Sequence, residues 1–357
     1  MRPYLFALPA AVAILACKEP PPPAPVLTVA PTADTLVVSA VTVPAAVPLS
    51  NGAWALLAAE EAEVRVADFA AKRVEPFPGM TSAEVPHPSV LLGIGDTVVV
   101  GDWGLRRFTA WTLSSPRLEA WPVPDALRGA FPHARDAAGQ WYFEVPPVAN
   151  RDGSGLKDSA AVVRADAQLT RFDTIARLAP PDLAIVDGAD GQRFERRLLA
   201  GQDLWGIERN GTLWIARVFQ NRIEWHFPNA RKPFTGPPMQ DPILPIQEMD
   251  RQIFIRRFPE DQREAARRLQ FTAIKPPFES AFQTSDDRVW LFKSAVALDS
   301  IRTFQVVDST GVRVVVKVPS RGYALGVSDS HILMAEEFPG GIRLLRYPVP
   351  EQAKGTP

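Results

Sequence analysis

The sequence predicts an all-β fold, a six-bladed β-propeller of four-stranded antiparallel blades that is closed by an N-terminal strand. Three observations predict it. Residues 280–318 contain four short strand-like runs joined by three turns, five weaker copies of this stretch recur along the chain, and several copies follow at nearly equal spacing. Because a single four-stranded meander cannot bury both of its faces, we expect the copies to stack side by side.

The stretch 280–318 serves as the reference blade. Its second strand is rich in Val, Trp, Leu and Phe, and its last strand is a nearly unbroken β-branched run. Between the third and fourth strands, Asp308 and Gly311 occupy the first and fourth positions of a type I turn. The four predicted strands are residues 281–284, 288–293, 302–307 and 312–318.

The spacing of the copies predicts where the propeller carries insertions. The first turns of the six copies end at Gly52, Asp96, Gly139, Gly211, Asp287 and Ser330, at intervals of 44, 43, 72, 76 and 43 residues. The two long intervals predict insertions near residues 146–201 and 232–277. Within the second insertion, residues 259–270 begin with Pro and end with arginines, which predicts a helix with a solvated charged face.

The sixth copy predicts how the ring closes. It contains only three strands, because Pro348 and Pro350 end the strand-forming part of the chain. The β-branched run 36–43 has no partner nearby, and we expect it to complete the sixth blade as the fourth strand. The propeller is therefore predicted to span residues 36–350, with residues 351–357 as a flexible tail.

The N-terminus reads as a targeting segment followed by a spacer. Residues 1–16 contain a positive start and an apolar region, which predicts a lipoprotein signal peptide. Leu15-Ala16-Cys17 resembles the lipobox of bacterial lipoproteins, which implies lipidation of Cys17 as the first mature residue. The alternative is an ordinary signal peptide or an uncleaved anchor. Residues 17–35 are predicted to form a proline-rich tether in extended conformation.

Charge and cysteine content exclude several classes of function. The chain has 39 basic and 40 acidic residues, so no basic excess indicates binding to nucleic acid. Cys17 is the only cysteine, which excludes disulfides and thiolate metal sites within one chain. No stretch after the signal reaches the roughly 18 consecutive apolar residues that cross a bilayer. Proline, at 36 residues, disfavours long helices.

One loop has the spacing of a calcium site. Asn150, Asp152, Ser154 and Asp158 place oxygen atoms at loop positions one, three, five and nine, and Gly155 occupies position six. Position twelve is an alanine, where a bidentate Glu would complete the shell. The alternative is a flexible polar hairpin loop, and no other cofactor is predicted.

Other patterns for catalysis are sparse. The sequence lacks the G-x-S-x-G, H-E-x-x-H and Walker motifs, and its four histidines are too dispersed to predict a zinc triad. His133 and Asp136 could flank the central channel, but their spacing places them on opposite faces of a strand. Both are more simply explained as loop or packed residues.

Four tryptophans test the register of the copies. Trp54 and Trp141 lie two residues past the first turn of their copies, whereas Trp214 and Trp290 lie three residues past it. Because side chains alternate along a strand, either a bulge shifts the register or these residues do not share a layer. We expect all four to pack in the core.

The hairpins at residues 210–216 and 287–291, each followed by a further strand such as 303–308, resemble those of six-bladed β-propeller lipoproteins and related NHL-like proteins of bacterial envelopes. The resemblance implies the fold and a location in the bacterial cell envelope, and we expect the lipid anchor to hold the protein at the outer membrane or the periplasmic face, with the membrane leaflet left open. Such families contain sensory, scaffolding and hydrolytic members, so it implies no activity.

We therefore expect a non-enzymatic binding or scaffold lipoprotein, attached to the membrane by its lipid and presenting loops to a protein or small-molecule ligand. The alternative is a metal-dependent, lactonase-like hydrolase with its site in the central channel. Converging carboxylates and amides in the channel would favour the hydrolase, and a plugged or apolar channel would favour binding.

Overall fold

The N-terminal part of the propeller is a pair of strands that join two different blades. The structure is a computed structural model that describes residues 23–148, 150, 152–188 and 191–354. The predicted signal peptide and Cys17 lie outside the described residues. Strand β1 (Val26–Thr28) pairs in parallel with the fifth blade, and strand β2 (Asp34–Val38) pairs antiparallel with the sixth.

The first three blades are four-stranded antiparallel meanders that run outward from the centre. Blade 1 contains β3 (Ala45–Pro48), β4 (Trp54–Ala58), β5 (Glu63–Asp68) and β6 (Arg73–Pro76). Blade 2 contains β7 (Pro88–Ile94), β8 (Thr97–Asp102), β9 (Arg107–Thr112) and β10 (Ser115–Pro122). Blade 3 contains β11 (Pro132–Arg135), β12 (Trp141–Val145), β13 (Ala161–Ala165) and β14 (Phe172–Arg177).

The fourth blade lies between the two predicted insertions. Before it, β15 (Leu183–Gly188) and β16 (Gly191–Arg196) form an antiparallel hairpin. Blade 4 contains β17 (Leu204–Ile207), β18 (Leu213–Arg217), β19 (Arg222–His226) and the short β20 (Phe234–Thr235). The second insertion then forms two short helices, α1 (Glu248–Ile255) and α2 (Arg263–Ala266). Short 3-10 helices occur at Asp125–Leu127, Ser154–Lys157, Glu260–Gln262 and Glu351–Ala353.

The last two blades incorporate the N-terminal strands. Blade 5 contains β21 (Phe278–Gln283), β22 (Val289–Lys293), β23 (Arg302–Asp308) and β24 (Gly311–Val318), and β1 is added outside β24 as a fifth strand. Blade 6 contains β25 (Tyr323–Val327), β26 (His331–Phe338) and β27 (Gly341–Pro348), with β2 as its outermost strand. The innermost strands contact one another around the whole ring, with β25 against β3. The six-bladed propeller is confirmed.

The predicted closing strand is confirmed with shifted bounds. Residues 34–38 pair with β27 from Asp34↔Arg346 to Val38↔Ile342, whereas residues 39–44 form the connection to blade 1. Leu36 and Val38 are buried, and Val37 between them is exposed, as expected for a strand with one covered face.

Two segments outside the predicted propeller also pack on it. Strand β1 lies inside the range 17–35 that was predicted as a tether, and its pairing with β24 spans nearly 290 residues of sequence. In the predicted tail, Ala353 is buried and its carbonyl accepts a hydrogen bond from Arg288 at 3.1 Å. The folded body therefore extends from Val26 to at least Ala353.

The hydrophobic core consists of six clusters, one between each pair of neighbouring blades. All four tryptophans lie in these clusters and are at most 2% exposed. Trp54 and Trp141 pack against the preceding blade, whereas Trp214 and Trp290 pack against the following blade. The tryptophans therefore do not share a layer, because a one-residue difference in position turns a strand side chain to the other face.

The predicted helix 259–270 is only partly present. Residues 260–262 form a 3-10 turn and residues 263–266 a single α-helical turn, so the regular structure is shorter than predicted. The longer helix is α1, which the sequence analysis missed. None of the described helices is long and apolar enough to cross a membrane.

Candidate binding site

The meander topology divides the loops between two faces of the propeller. Because every blade runs from an innermost to an outermost strand, the loops between second and third strands and the connections between blades lie on one face, which we call the upper face. The turns between first and second strands, and between third and fourth strands, lie on the lower face. Both insertions belong to the upper face, since they interrupt a second-to-third loop or a connection between blades.

The lower face is made mainly of short turns, and hydrogen bonds join the turns of blades 3 and 4 and of blades 5 and 6. Ala137 N donates to Arg209 O at 3.1 Å between blades 3 and 4. Ser285 N and Oγ donate to the carboxylate of Asp329 at 2.9 and 2.6 Å between blades 5 and 6. Burial, followed by the charge of Asp287, raises the pKa of Glu208 in this layer. Such contacts hold neighbouring blades in register.

The two insertions are joined on the upper face. Leu198 N donates to Gln270 O at 2.7 Å, and Thr272 N donates to Leu198 O at 3.0 Å, so that Leu198 and Phe271 form a parallel bridge. Residues from two long connections thus form one continuous surface over blades 3 to 5.

A buried carboxylate attaches the second insertion to the blades beneath it. The Asp241 carboxylate accepts hydrogen bonds from Lys293 Nζ at 2.7 Å, Asn221 Nδ2 at 2.8 Å and Gln305 Nε2 at 2.9 Å. Burial lowers the pKa of Lys293, and the charge of Asp241 opposes this effect. The insertion is therefore fixed to blades 4 and 5 by an ion pair that is largely withdrawn from water.

Exposed apolar side chains are concentrated on the upper face. Of the sixteen large hydrophobic residues that are exposed among the described residues, eleven lie in the loops and insertions of the upper face and only Phe227 lies in a lower-face loop. The other four are on outer strands. The eleven are Val41, Trp103, Leu105, Val148, Ile185, Phe219, Ile243, Met249, Ile274, Val296 and Leu298. Apolar residues gathered on one face are typical of an interaction surface.

The loop between β8 and β9 shows how firmly one of these residues is presented. Trp103 is 69% exposed. The loop around it is held by the buried carboxylate of Asp102, which accepts hydrogen bonds from His87 N at 2.8 Å and from Leu105 N at 2.7 Å. Gly104 packs so closely on the His87 ring that a Cβ atom would lie 2.3 Å from His87 Cδ2. The turn is therefore rigid, and it holds a tryptophan out to solvent.

A cleft of about 370 Å³ lies within the second insertion. One wall is a single face of α1, formed by residues Glu248, Arg251, Gln252 and Ile255 at helical spacing. The other wall is formed by Arg267, Leu269, Gln270 and Phe271. A second cleft, between blades 3 and 4, has only about 30 Å³ and is large enough for one water molecule.

The structure brings together three of the four predicted calcium ligands. Asn150 Nδ2 donates to Ser154 Oγ at 2.8 Å, and Asp152 Oδ1 accepts Ser154 N at 2.9 Å. This bond to Ser154 lowers the pKa of Asp152. Asp158 instead lines the small cleft with Glu144 and Asp203. The side chains thus bond to one another in a polar turn that leads into a 3-10 helix, and the calcium site stays a prediction.

His133 and Asp136 are not brought together, as the strand spacing predicts. His133 stacks on Trp205 with ring centroids 4.1 Å apart, and its Nε2 lies 2.9 Å from Trp205 O. Burial lowers its pKa, and the hydrogen bond with Trp205 O opposes the shift. Asp136 is buried in the lower face, where it accepts Tyr142 Oη at 2.9 Å and Gln140 N at 2.8 Å. Both residues therefore have structural partners.

Three polar side chains stand at β-bulges at equivalent places in the innermost strands, a feature that the sequence analysis missed. The register shifts at Ser89, His133 and Glu279. In blades 2 and 3 the preceding residue is a proline, which is the signal that could have found them. Burial raises the pKa of Glu279, and the charge of Arg302 opposes the shift.

The alternative hypothesis, a metal-dependent hydrolase, requires several metal-ligating side chains close together. Among the described residues there is no group of three or more His, Cys, Asp or Glu side chains that could hold a metal ion. The three bulge residues belong to blades 2, 3 and 5 and contact different partners. We therefore derive no reaction step through a metal.

Comparisons with known proteins identify the fold alone. No family model matches the sequence, and no curated protein matches it. Solved structures similar to this chain include a member of the DUF4221 family from Bacteroides vulgatus, with 9% identity, a TM-score of 0.52, and coverage of 90% of this chain and 96% of that one.

Two further similar structures are virginiamycin B lyase from Staphylococcus aureus and the calcium-binding protein regucalcin from Agrobacterium tumefaciens. The lyase has 9% identity, a TM-score of 0.47, and coverage of 89% of this chain and 99% of that one. Regucalcin has 9% identity, a TM-score of 0.44, and coverage of 91% and 96%. At such identities the likeness carries no activity.

Proposed function

We propose that the protein is a lipid-anchored binding protein of the bacterial cell envelope whose upper face docks a partner protein. The observation that carries the proposal is the concentration of exposed apolar side chains on that face, opposite a lower face made of tight hydrogen-bonded turns. An exposed tryptophan on an anchored turn, such as Trp103, is the kind of residue that dominates the binding energy of protein interfaces.

The direction of the N-terminal strand favours a protein partner over the anchoring membrane. Strand β1 is parallel to β24, and β24 runs toward the upper face, so the chain enters β1 from the lower side. A lipid attached at Cys17 would therefore tether the propeller to the membrane by its lower side. The apolar upper face would then point away from the membrane that holds the anchor.

Site-specific photo-crosslinking from the full-length protein in its native cells tests this proposal. A photoreactive amino acid at Trp103 is expected to give one discrete adduct, whereas the same residue at Phe172 on outer strand β14 should give none. The partner identified from that adduct is then purified. Replacement W103D should weaken its binding at least about tenfold, or 1.4 kcal/mol.

Three results would overturn the proposal. They are equal crosslinking from both positions, an adduct with a second copy of this chain, and binding of the purified protein to phospholipid vesicles that W103D abolishes. The anchor is tested separately by labelling cells with a palmitate analogue. Label should enter the wild-type protein and not the C17A variant. Label in both would remove Cys17 as the attachment site, and an unlabelled wild-type protein would remove the lipoprotein assignment.

A further inference from the structure

We propose that the cleft between α1 and residues 267–271 binds the carboxylate of a ligand whose adjoining body is apolar. This inference rests on the proposed function, because it assigns a ligand chemistry to one part of the upper face. It concerns a pocket of about 370 Å³, the size that takes a small organic acid or one side chain and the neighbouring backbone of a peptide.

The cleft presents an unusual side of a helix. Residues 248, 251, 252 and 255 recur at the spacing of one helical face, and on a helix that covers a protein this face would normally be apolar and packed. Here it carries Glu248, Arg251 and Gln252 and faces an opening. The apolar residues Ile253 and Phe254 lie on another side of α1, where Phe254 contacts Phe258 and Phe271.

Both walls are fixed before any ligand arrives. Helix α1 begins with a capping box between Gln247 and Asp250, and Asp250 is paired with Lys275. The opposite wall is held by the bridge between Leu198 and Phe271. A ligand therefore meets a preformed site, which reduces the entropy lost on binding.

The charges in the cleft favour an anion. Two arginines line it against one carboxylate, and the oxygen atoms of that carboxylate are engaged. Glu248 Oε1 accepts Gln252 Nε2 at 2.6 Å, and Glu248 Oε2 lies 4.0 Å from Arg251 Nη1. Arg267 pairs with Glu264 at 2.7 Å, but both side chains are more than half exposed, so the pair is weak and can be exchanged. Planar guanidinium groups match a carboxylate in a two-pronged contact.

The apolar lining specifies the rest of the ligand. Ile255, Leu269 and Phe271 lie beside the two arginines, and the Arg251 guanidinium is 5.8 Å from the Phe271 ring centre. An aromatic or branched aliphatic group next to the carboxylate would cover these side chains. A free amphipathic acid and the C-terminal residue of a polypeptide both have this chemistry.

Titration calorimetry of the folded protein with N-acetyl-phenylalanine tests the inference. We expect the acid to bind at least tenfold more tightly than its matched amide, because only the acid carries the charge that the arginines recognise. R251Q and R267Q should each lose at least tenfold. The neighbouring exposed arginines outside the cleft provide matched controls, and R256Q and R268Q should bind as the wild type does.

The source of the carboxylate is distinguished by two peptides. A tetrapeptide that ends in Phe with a free C-terminus should bind as well as the free acid or better if the ligand is a chain end. A markedly weaker tetrapeptide would identify a free acid. Its C-terminal amide is the control.

Equal binding of acid and amide, no binding of either acid or tetrapeptide at millimolar concentration, or equal losses in R251Q and R256Q would overturn the inference. These outcomes leave the crosslinking from Trp103 unaffected, so a failure of the cleft is distinguishable from a failure of the docking face.

Discussion

The two faces of this propeller use the same strands for different purposes. On the lower face, short turns bond to one another across the blades, and a buried residue such as Asp136 satisfies two donors. On the upper face, the connections are long, apolar side chains are exposed, and a cleft remains open. The difference indicates that the lower-face turns mainly make contacts within the ring, whereas the upper-face connections leave more of their side chains exposed. Five predictions test this division.

The largest effect should come from the closing strand. Deleting residues 26–38 removes the pairing of β2 with β27 and the buried side chains of Leu36 and Val38, which contribute roughly 1.5–3 kcal/mol each. We expect the melting temperature to fall by about 10 °C or more in a calorimetric scan. The control V37T, at an exposed position of the same strand, should melt as the wild type does. An unchanged transition in the deletion variant would show that the ring does not need this strand.

The second effect concerns the ion pair between Asp241 and Lys293, which fixes the second insertion of the upper face to the blades. D241A leaves the Lys293 ammonium buried without its carboxylate and should destabilise the protein by about 3–5 kcal/mol in urea unfolding. The double variant D241A/K293M should recover much of this loss, because no charge is then left unpaired. A single variant as stable as the wild type would mean that the second insertion is not fixed to the blades.

The third effect concerns one buried carboxylate of the lower face, Asp136, and the two hydrogen bonds that it accepts. D136A removes the acceptor for Tyr142 Oη and Gln140 N and should cost about 1–3 kcal/mol by urea unfolding. The exposed carboxylate Asp125 on the upper face forms only a surface pair with Arg106, so D125A should cost less than about 1 kcal/mol. Equal losses in the two variants would contradict the difference between the faces.

The fourth effect is a dependence on pH. Burial lowers the pKa of His133 below its ordinary value of 6.5, so the unfolded chain takes up this proton first as the pH falls. The contribution of neutral His133 to stability is complete above about pH 7 and is lost progressively below pH 6.5. In thermal melts between pH 7.5 and 5.5, H133Q should lose less stability on acidification than the wild type. Parallel curves would show that His133 has an ordinary pKa.

The smallest effect on stability is expected at Trp103. Because this side chain is 69% exposed, W103S should change the free energy of unfolding by less than about 0.5 kcal/mol, while the purified partner should bind the variant at least about tenfold more weakly. Trp54, which is 1% exposed, is the opposite case, and W54A should cost about 3–5 kcal/mol. Substantial unfolding of W103S would mean that this residue belongs to the fold and not to the docking face.

Local features of the fold could be predicted from the sequence. Gly52 and Gly211 adopt positive φ values of 81° and 86°, as their Asn-Gly turns require, and these turns established the spacing of the blades. The closing strand was predicted because residues 36–43 had no partner and the last blade lacked a strand. Its bounds shifted because the register with β27 is set by pairing across the whole chain.

Other features depend on contacts between distant residues and carry no local pattern. Val26 pairs in parallel with Val315, and no turn joins the two strands, so no local sequence pattern predicts this pairing. The polar face of α1 looks like an ordinary solvated face until its position opposite Phe271 is known. The concentration of apolar side chains on one face is visible only when each loop has been assigned to its side of the ring.

The pairing of β2 with β27 determines the order in which the protein is completed. Asp34 is bonded to Arg346, 312 residues later, so β2 lies near the start of the chain and its partner β27 near the end. Until the two strands pair, Leu36 and Val38 have no sheet to cover them, and the edge of the last blade stays unpaired. The sixth blade can therefore be completed only when both ends of the chain are present, and a chain that ends before β27 would leave Leu36 and Val38 without their partner strand.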